Sequence, residues 1–122
     1  MAQQGDDARF SYDGLDRTIH EKARLSLLAS LVSTPSGLSF VELKRLCDLT
    51  DGNLSRHVKV LVDAGLVEVE KSFVNNRPNT HCRITAQGER QFLDYVAVLE
   101  QVIKDAAKGR PQAAGQPKLK HS

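Results

Sequence analysis

Several residue types and patterns are scarce in this sequence, and each shortage excludes a class of protein. The 122 residues contain no tryptophan, and aromatic residues make up only 5% of the chain. No stretch approaches the roughly 20 consecutive apolar residues that a membrane-spanning helix needs. The opening MAQQGDDARF has no apolar run of signal-peptide length. We therefore expect a cytoplasmic protein without a membrane partner.

Residues suited to catalysis or metal binding are also few and scattered. Cys47 and Cys82 lie in separate apolar segments, so we interpret them as small buried side chains. The four histidines belong to different elements, no glycine-rich phosphate loop is present, and no pair of acids has a spacing suited to acid–base chemistry. The sequence predicts no catalytic residue, no metal ligand and no cofactor, and hence a protein that is not an enzyme.

The positions of the charges are more informative than their sum. A net charge of +2 indicates no particular partner. Two stretches without any acid, residues 52–62 and 71–88, hold a series of basic residues: Arg56, Lys59, Lys71, Arg77 and Arg83. A local basic surface of this kind fits a small nucleic-acid-binding protein.

The first half of the chain has the pattern of consecutive helices. Apolar spacing predicts a first helix over residues 15–33, broken near His20 and ended by the Ser-Thr-Pro-Ser-Gly sequence that follows. Ser39 with Glu42 three residues later is a capping box, which predicts a short second helix. This helix should not extend past Asp48.

A third helix is expected over about residues 51–64, with Thr50 as its N-cap and Gly65 ending it. At 100° per residue, one side carries an apolar stripe and the opposite side carries polar residues. The stripe consists of Leu54, Val58 and Leu61, the opposite side of Gly52, Arg56, Lys59 and Asp63, and the flanks of Asn53, Ser55 and His57.

Beyond Gly65 the apolar period changes to two, which predicts a β-hairpin over about residues 67–85 with Arg77 and Pro78 in its turn. Thr85 is then the cap of a long last helix, about residues 86–108. The sequence thus predicts a mainly α fold with a small antiparallel β-hairpin, an α+β arrangement.

The last helix carries apolar residues over more than half of its circumference, which is more than one packing face requires. We expect a second copy of the chain to cover part of it, in a homodimer. The alternative is that the first helix, with Phe10 and Tyr12, covers the excess within one subunit. We expect one winged domain over residues 10–108, with a disordered N-terminus, 1–9, and a disordered basic tail, 109–122.

The order of elements, a helix, a short helix, a capped polar helix, a basic hairpin and a long helix, is that of a winged helix-turn-helix. The segments LTDGNLSRHVKVLVDAGLVEVEK and RITAQGERQF resemble single-domain bacterial winged-helix transcriptional regulators related to the MarR and ArsR families. The resemblance covers roughly residues 15–100. It implies a homodimeric repressor or activator that binds double-stranded DNA at a pseudo-palindromic site.

The resemblance also implies which residues contact DNA. Thr50 to Lys59 would form the exposed half of the recognition helix, and Arg77 would approach the minor groove from the wing. The chain lacks the CxC pair and the His/Asp cluster of metal-sensing ArsR proteins, so a metal inducer is not expected. It is shorter than usual MarR proteins, so the resemblance does not imply a ligand pocket of that type. A small-molecule effector is possible, but no residue marks its site.

Side-chain chemistry divides these residues by role. Arg56 can make a bidentate contact to guanine and Asn53 to adenine, whereas Thr50, Ser55 and Lys59 are better suited to phosphates. His57 either packs in the core or contacts DNA. The predicted DNA-binding set is therefore Thr50, Asn53, Ser55, Arg56, Lys59 and Arg77. A winged helix that serves as a protein–protein interaction module, without binding DNA, is the alternative function.

Overall fold

The structure, a computed structural model, describes residues 10–109. Within these residues the chain forms four helices and three strands. In chain order they are α1 (Lys22–Val32), β1 (Leu38–Ser39), α2 (Phe40–Cys47), α3 (Asp51–Asp63), β2 (Val67–Val74), β3 (Arg77–Ile84) and α4 (Ala86–Lys108). The strands form an antiparallel sheet in the order β1-β3-β2. The predicted fold class is confirmed, and the predicted disordered ends lie outside the described residues except for Gly109.

The first helix is shorter than predicted, because Asp16 holds the segment before it in turns. Asp16 Oδ1 accepts a hydrogen bond from the Thr18 amide at 2.8 Å, and the Asp16 carbonyl accepts from the amide of His20 at 2.7 Å. The helix begins only at Lys22, and Glu21 is its N-cap, accepting from the Arg24 amide at 3.0 Å. The break expected near His20 is present, but residues 15–20 are not helical.

The capping signals of the helix-turn-helix are present in the structure. The Ser39 hydroxyl accepts from the Glu42 amide at 3.1 Å, and the Glu42 carboxylate accepts from the Ser39 amide at 2.9 Å, which completes the capping box. The second helix ends at Cys47, followed by Asp48 in the left-handed conformation with φ 56°. An ion pair of 2.7 Å between Lys44 and Asp51 joins α2 to α3.

The end of α3 is fixed by Gly65, which has a φ of 80°. Its amide donates to the Val62 carbonyl at 2.9 Å, and the Leu66 amide donates to the Leu61 carbonyl at 3.0 Å. These two bonds define a Schellman motif. Because Leu61 and Leu66 are both buried, the motif also directs the chain from α3 into the sheet.

The wing differs from the prediction in two respects. The turn contains only Asn75 and Asn76, with φ of 53° and 63°, as a two-residue type I′ hairpin requires. Arg77 and Pro78 therefore belong to β3, where they pair with Val74 and Phe73. Pro78 is tolerated because its position is a non-hydrogen-bonded pair with β2, and β1 does not extend that far along β3.

The second difference is that the short strand β1 was not predicted. Leu38 and Ser39 pair with Cys82 and His81 of β3, so the sheet has three strands instead of two. A two-residue strand offers no alternation of apolar and polar residues, which is why the sequence pattern did not indicate it.

A single hydrophobic core lies between the helices and the inner face of the sheet. Its fully buried side chains come from the turn before α1, every helix and the sheet: Ile19, Leu27, Leu28, Leu31, Leu43, Leu54, Leu61, Leu66, Cys82 and Tyr95. The predicted burial holds for Cys82, whereas Cys47 is only half-buried. No described helix is long and apolar enough to cross a membrane.

The fold predicts opposite effects for two glycines in helices. A Cβ at Gly88 in α4 would overlap the Leu66 carbonyl oxygen, whereas a Cβ at Gly52 in α3 would meet nothing within 4 Å. We expect Gly88→Ala to destabilise the chain by about 1 to 3 kcal/mol. Gly52→Ala should stabilise it by about 0.5 to 1 kcal/mol, because alanine loses less backbone entropy in a helix. Urea unfolding followed by circular dichroism measures both, and an equal change in the two variants would contradict this packing.

Candidate nucleic-acid interface

One side of α3 is buried and the other is open to solvent. Leu54, Val58 and Leu61 lie in the core together with His57. The predicted DNA-binding residues of this helix, Asn53, Ser55, Arg56 and Lys59, are all exposed, as is Thr50 at its start. Burial of the apolar stripe therefore holds five of the six predicted residues on one outer surface.

Asn53 and Arg56 are already in contact on that surface. The Arg56 guanidinium donates a hydrogen bond from Nη2 to Asn53 Oδ1 at 3.0 Å. The bond uses one of the two acceptor positions of the amide oxygen and leaves both amide hydrogens free to donate. It restricts two side chains that could address neighbouring base edges, which lowers the entropy that they would lose on binding.

The N-terminus of α3 has the chemistry of an anion-binding site. Thr50 Oγ1 accepts from the Asn53 amide at 3.2 Å, so its acceptor function serves the helix cap. The hydroxyl hydrogen is still available to a phosphate oxygen. Gly52 follows with open space around it, so a duplex backbone can approach this turn closely.

Lys59 is less free than the sequence indicates. Its ammonium group lies 3.2 Å from the carboxylate of Asp63, one helical turn further on, and both side chains are well exposed. An exposed pair of this kind contributes less than about 1 kcal/mol, so a DNA phosphate can replace Asp63 as its partner. Ser55, one residue before Arg56, is exposed on the flank of the same surface.

The wing carries the remaining predicted residue, Arg77. It is exposed at the start of β3, and within residues 10–109 no acid forms an ion pair with its guanidinium. Arg83 on the same strand differs, because it lies 3.9 Å from a Glu68 oxygen and 3.6 Å from a Glu70 oxygen. Arg77 is therefore the arginine of this strand without an acid beside it, whereas Arg83 has two acids near its guanidinium.

His57 is inside the molecule, which resolves the alternatives for this residue in favour of packing. Its exposed fraction is 5%, and its Nδ1 lies 3.4 Å from Arg24 Nη1 and 3.9 Å from Glu21 Oε1. Burial lowers the pKa of His57; Glu21 opposes this shift, and Arg56 and Arg24 add to it. The neutral imidazole can accept a hydrogen bond from Arg24, which connects α3 to α1.

Glu21 and Arg24, which no pattern in the sequence indicates, contact His57 on the buried side of α3. Arg24 also donates from Nε to the Thr18 carbonyl at 2.8 Å. In the turn that precedes α1, His20 Nδ1 lies 2.6 Å from the hydroxyl of Tyr95, which is buried in α4. These polar contacts join the start of α1 to both α3 and α4, and no periodicity in the sequence indicates them.

These elements define a winged-helix DNA-binding module: the capped short helix α2, a tight turn, the polar-faced helix α3 and a hairpin with an exposed arginine. The comparison with protein families agrees. Residues 23–103, well over half of the chain, match the family described as winged helix DNA-binding domain, and the chain belongs to that family.

Individual relatives extend this result. The uncharacterized protein MJ0432 of Methanocaldococcus jannaschii is 38% identical over 85 residues, which are 67% of this chain and 88% of that protein. The structure of a transcriptional regulator homologue from Pyrococcus horikoshii OT3 has a TM-score of 0.69 and 28% identity, covering 75% of this chain and 89% of that one. The structure of MarR has a TM-score of 0.65 and 18% identity over 93% of this chain and 86% of its own.

These findings confirm the predicted winged-helix fold, which the chain shares with MarR, and the family match supports DNA binding as the function. Winged-helix regulators of this family are not enzymes. Both the M. jannaschii and the P. horikoshii relatives are archaeal proteins, so a bacterial origin for this chain stays a prediction. Within residues 10–109, no three His, Cys, Asp or Glu residues are grouped so that they could hold a metal ion.

The environment of His57 predicts a dependence of stability on pH. Its folded pKa lies below the ordinary 6.5, so the unfolded chain binds a proton more readily than the folded chain. The free energy of unfolding should therefore fall as the pH decreases from about 7.5 to about 5.5. His57→Asn should make this dependence shallower, as measured by urea unfolding at each pH.

The carboxylate beside His57 does not obscure this test. Hydrogen bonding to the Arg24 amide lowers the pKa of Glu21 from 4.5, so its contribution is lost only at more acidic pH. An unchanged pH dependence in His57→Asn would show that His57 is not a source of the loss.

Proposed function

We propose that the chain is a sequence-specific regulator that binds double-stranded DNA as a homodimer. Helix α3 enters the major groove, and the tip of the wing enters the adjacent minor groove. The observation that carries this proposal is the outer surface of α3, where Asn53 and Arg56 are exposed side by side above a fully buried apolar stripe. Such a regulator acts where the DNA is, in the cytoplasm or nucleoid.

Asn53 and Arg56 are the residues that distinguish one base from another. The guanidinium of Arg56 matches the O6 and N7 acceptors of guanine, and the amide of Asn53 matches the N6 donor and N7 acceptor of adenine. Each such contact provides about 1 to 3 kcal/mol of discrimination against a wrong base. Their mutual hydrogen bond of 3.0 Å suits adjacent bases, because it holds the two groups beside each other.

Residues that surround this pair bind the DNA phosphates. Thr50 and the free amides of the first turn of α3 favour an anion at the helix N-terminus. Ser55 and Lys59 lie further along the exposed surface, and Lys59 exchanges Asp63 for a phosphate. These contacts set the position of the protein on the duplex and make the affinity depend on salt.

Arg77 on the wing supplies the minor-groove contact. Its guanidinium is exposed and without an ion-pair partner among the described residues. A narrow minor groove concentrates negative potential, which favours an inserted arginine. The two-residue turn at Asn75 and Asn76 keeps the strand pair regular up to this residue.

Dimerisation is proposed from the side of α4 that the subunit leaves uncovered. Only Gly88, Phe92 and Tyr95 of this 23-residue helix are buried. The N-terminal segment covers a second side, where Tyr12 donates to Asp105 at 2.8 Å and Gly14 contacts Val98. Leu93, on a third side, and Ile103, further along the helix on the side of Phe92, are still exposed, at 51% and 62%. The N-terminal segment, which was the alternative to a second subunit, therefore does not cover all the apolar residues of α4.

Two copies related by a two-fold axis would present two α3 helices to one duplex. Half-sites about one helical turn apart, in a pseudo-palindrome, follow from this symmetry.

Substitutions distinguish the base contacts of α3 from the contact that the wing makes. Asn53→Ala and Arg56→Ala should weaken binding to a selected duplex about 5- to 100-fold and relax base preference at single positions. Arg77→Ala should weaken binding to all duplexes and reduce the salt dependence. Fluorescence polarisation with a duplex selected from a random pool, at several salt concentrations, measures these effects.

Arg83→Ala is the matched control, since Arg83 lies on the same strand as Arg77 but is paired with acids. It should have the smaller effect. Equal losses on unrelated duplexes for Asn53→Ala, Arg56→Ala and Arg77→Ala would exclude base recognition by α3. If the wild-type chain binds no duplex even at low salt, the protein–protein interaction module is the correct alternative.

A charge on the uncovered side of α4 should break the dimer. Leu93→Asp places a carboxylate in the proposed interface and should shift the chain to monomers in analytical ultracentrifugation, because burying an unpaired charge is costly. Val74→Asp, on the wing, changes a residue of nearly equal exposure, 52% against 51%. It should leave the oligomeric state unchanged, and the same state for all three chains would contradict the proposed interface.

A further inference from the structure

The wing exposes a large aromatic side chain that the proposed contacts do not use. Phe73 near the end of β2 is 73% exposed, the highest value among the large apolar side chains of residues 10–109. Its cross-strand partner is Pro78, and its neighbour Val74 is also more than half exposed. Phe73 and Pro78 therefore form an exposed apolar pair at the tip of the hairpin, and exposed apolar patches mark binding sites.

The register of the hairpin determines which side of the wing carries Phe73. The pairing of β2 with β3 runs without a bulge from Val67 to Val74, so alternate residues share a side. Phe73 is therefore on the side of Val67 and Cys82, which are buried against the helices. Because α3 contacts β2, the ring extends this inner side beyond the core, toward the space beside the recognition helix.

The opposite side of the wing has a different character. It carries the cluster in which Arg83 lies near Glu68 and Glu70, so acids are concentrated there. The inner side carries Lys71, two residues before Phe73, and residues 71–88 contain no acid. Arg77 pairs with Val74 and therefore lies on the other side of the same tip. A ring with one cation on its own side and a second across the tip is complementary to a polyanion with an apolar interior, which describes the sugars and bases between two phosphate chains.

We propose that Phe73 is an apolar wedge that enters the minor groove and partly unstacks one base step, while Lys71 contacts a flanking phosphate and Arg77, on the other side of the tip, lies along the groove. This inference rests on the proposed function, since it requires the wing to lie along DNA. Apolar side chains inserted in this way kink a duplex, and the cost is smallest at flexible pyrimidine–purine steps. Phe73 would therefore add specificity for TA or CA/TG steps without any hydrogen bond to a base.

The wing is built to hold such a wedge in place. The ring is attached to a paired strand, next to a two-residue turn, and faces a proline whose φ is fixed. Phenylalanine itself has only two side-chain torsions to immobilise. Because the wing is already ordered, little conformational entropy is lost when the ring binds. More of the interaction free energy with the base step then contributes to affinity.

Salt dependence distinguishes a wedge from a charge contact. Phe73→Ala should weaken binding to the selected duplex about 10- to 100-fold, with the slope of log K against log salt unchanged, because no counterion is released by an apolar contact. Arg77→Ala should instead reduce that slope by about 1. Val74→Ala is the matched control on the other side of the same strand and should alter the affinity less than about threefold.

Unstacking can be observed directly. A duplex with 2-aminopurine at the purine of a pyrimidine–purine step on the wing side should brighten when the wild-type chain binds. Phe73→Ala should lose this increase at saturating protein, and Phe73→Leu, which keeps an apolar side chain, should retain part of it. Replacing the step by a stiff A-tract should reduce the advantage of wild type over Phe73→Ala.

Several results would overturn the wedge. Unchanged affinity or unchanged 2-aminopurine fluorescence in Phe73→Ala would exclude it while leaving the proposed function intact, provided that Asn53→Ala and Arg56→Ala still relax base preference. Dissociation of the dimer by Phe73→Ala in ultracentrifugation would assign the ring to a subunit interface instead. Absence of any DNA binding by the wild-type chain would remove the proposed function and the wedge together.

Discussion

Burial of one side of α3 is the constraint on which the rest of the structure depends. Leu54 and Leu61 are completely buried and Val58 nearly so, which sets the rotation of the helix about its axis. The ends are fixed separately, by the Thr50 cap and by the Schellman motif at Gly65. With rotation and ends determined, the polar surface of α3 has one orientation, and the chain after Gly65 has one direction in which to begin the wing.

Polar contacts beneath α3 join this helix to the rest of the subunit. His57 faces Arg24 and Glu21 at the start of α1, and His20 in the preceding turn faces Tyr95 of α4. The chain that precedes α1 therefore touches both the proposed DNA-binding helix and the proposed dimerisation helix.

Much of the fold was predictable from short-range signals. Three of these signals involve residues only a few positions apart and can therefore be recognised in the sequence: the capping box at Ser39 and Glu42, the cap at Thr50 and the glycine at position 65. The exposure of Asn53 and Arg56 followed from helical periodicity, but their mutual hydrogen bond did not. The late start of the first helix, the strand β1 and the contacts of His57 with Arg24 and Glu21 were not predicted. Each depends on a backbone turn or a partner distant in the sequence.

The sequence by itself determined the order of the helices and the hairpin, the caps of α2, α3 and α4 and the chemistry of the outer surface of α3, because these depend on neighbours along the chain. Only the tertiary structure decided which basic residues are available. Arg83 is near Glu68 and Glu70 across the hairpin, whereas Arg77 has no such acid in the described residues. The tertiary structure also decided that Phe73 lies on the inner side of the wing. The reason is physical: strand register fixes side and partner together, and register is set by pairing across the sheet.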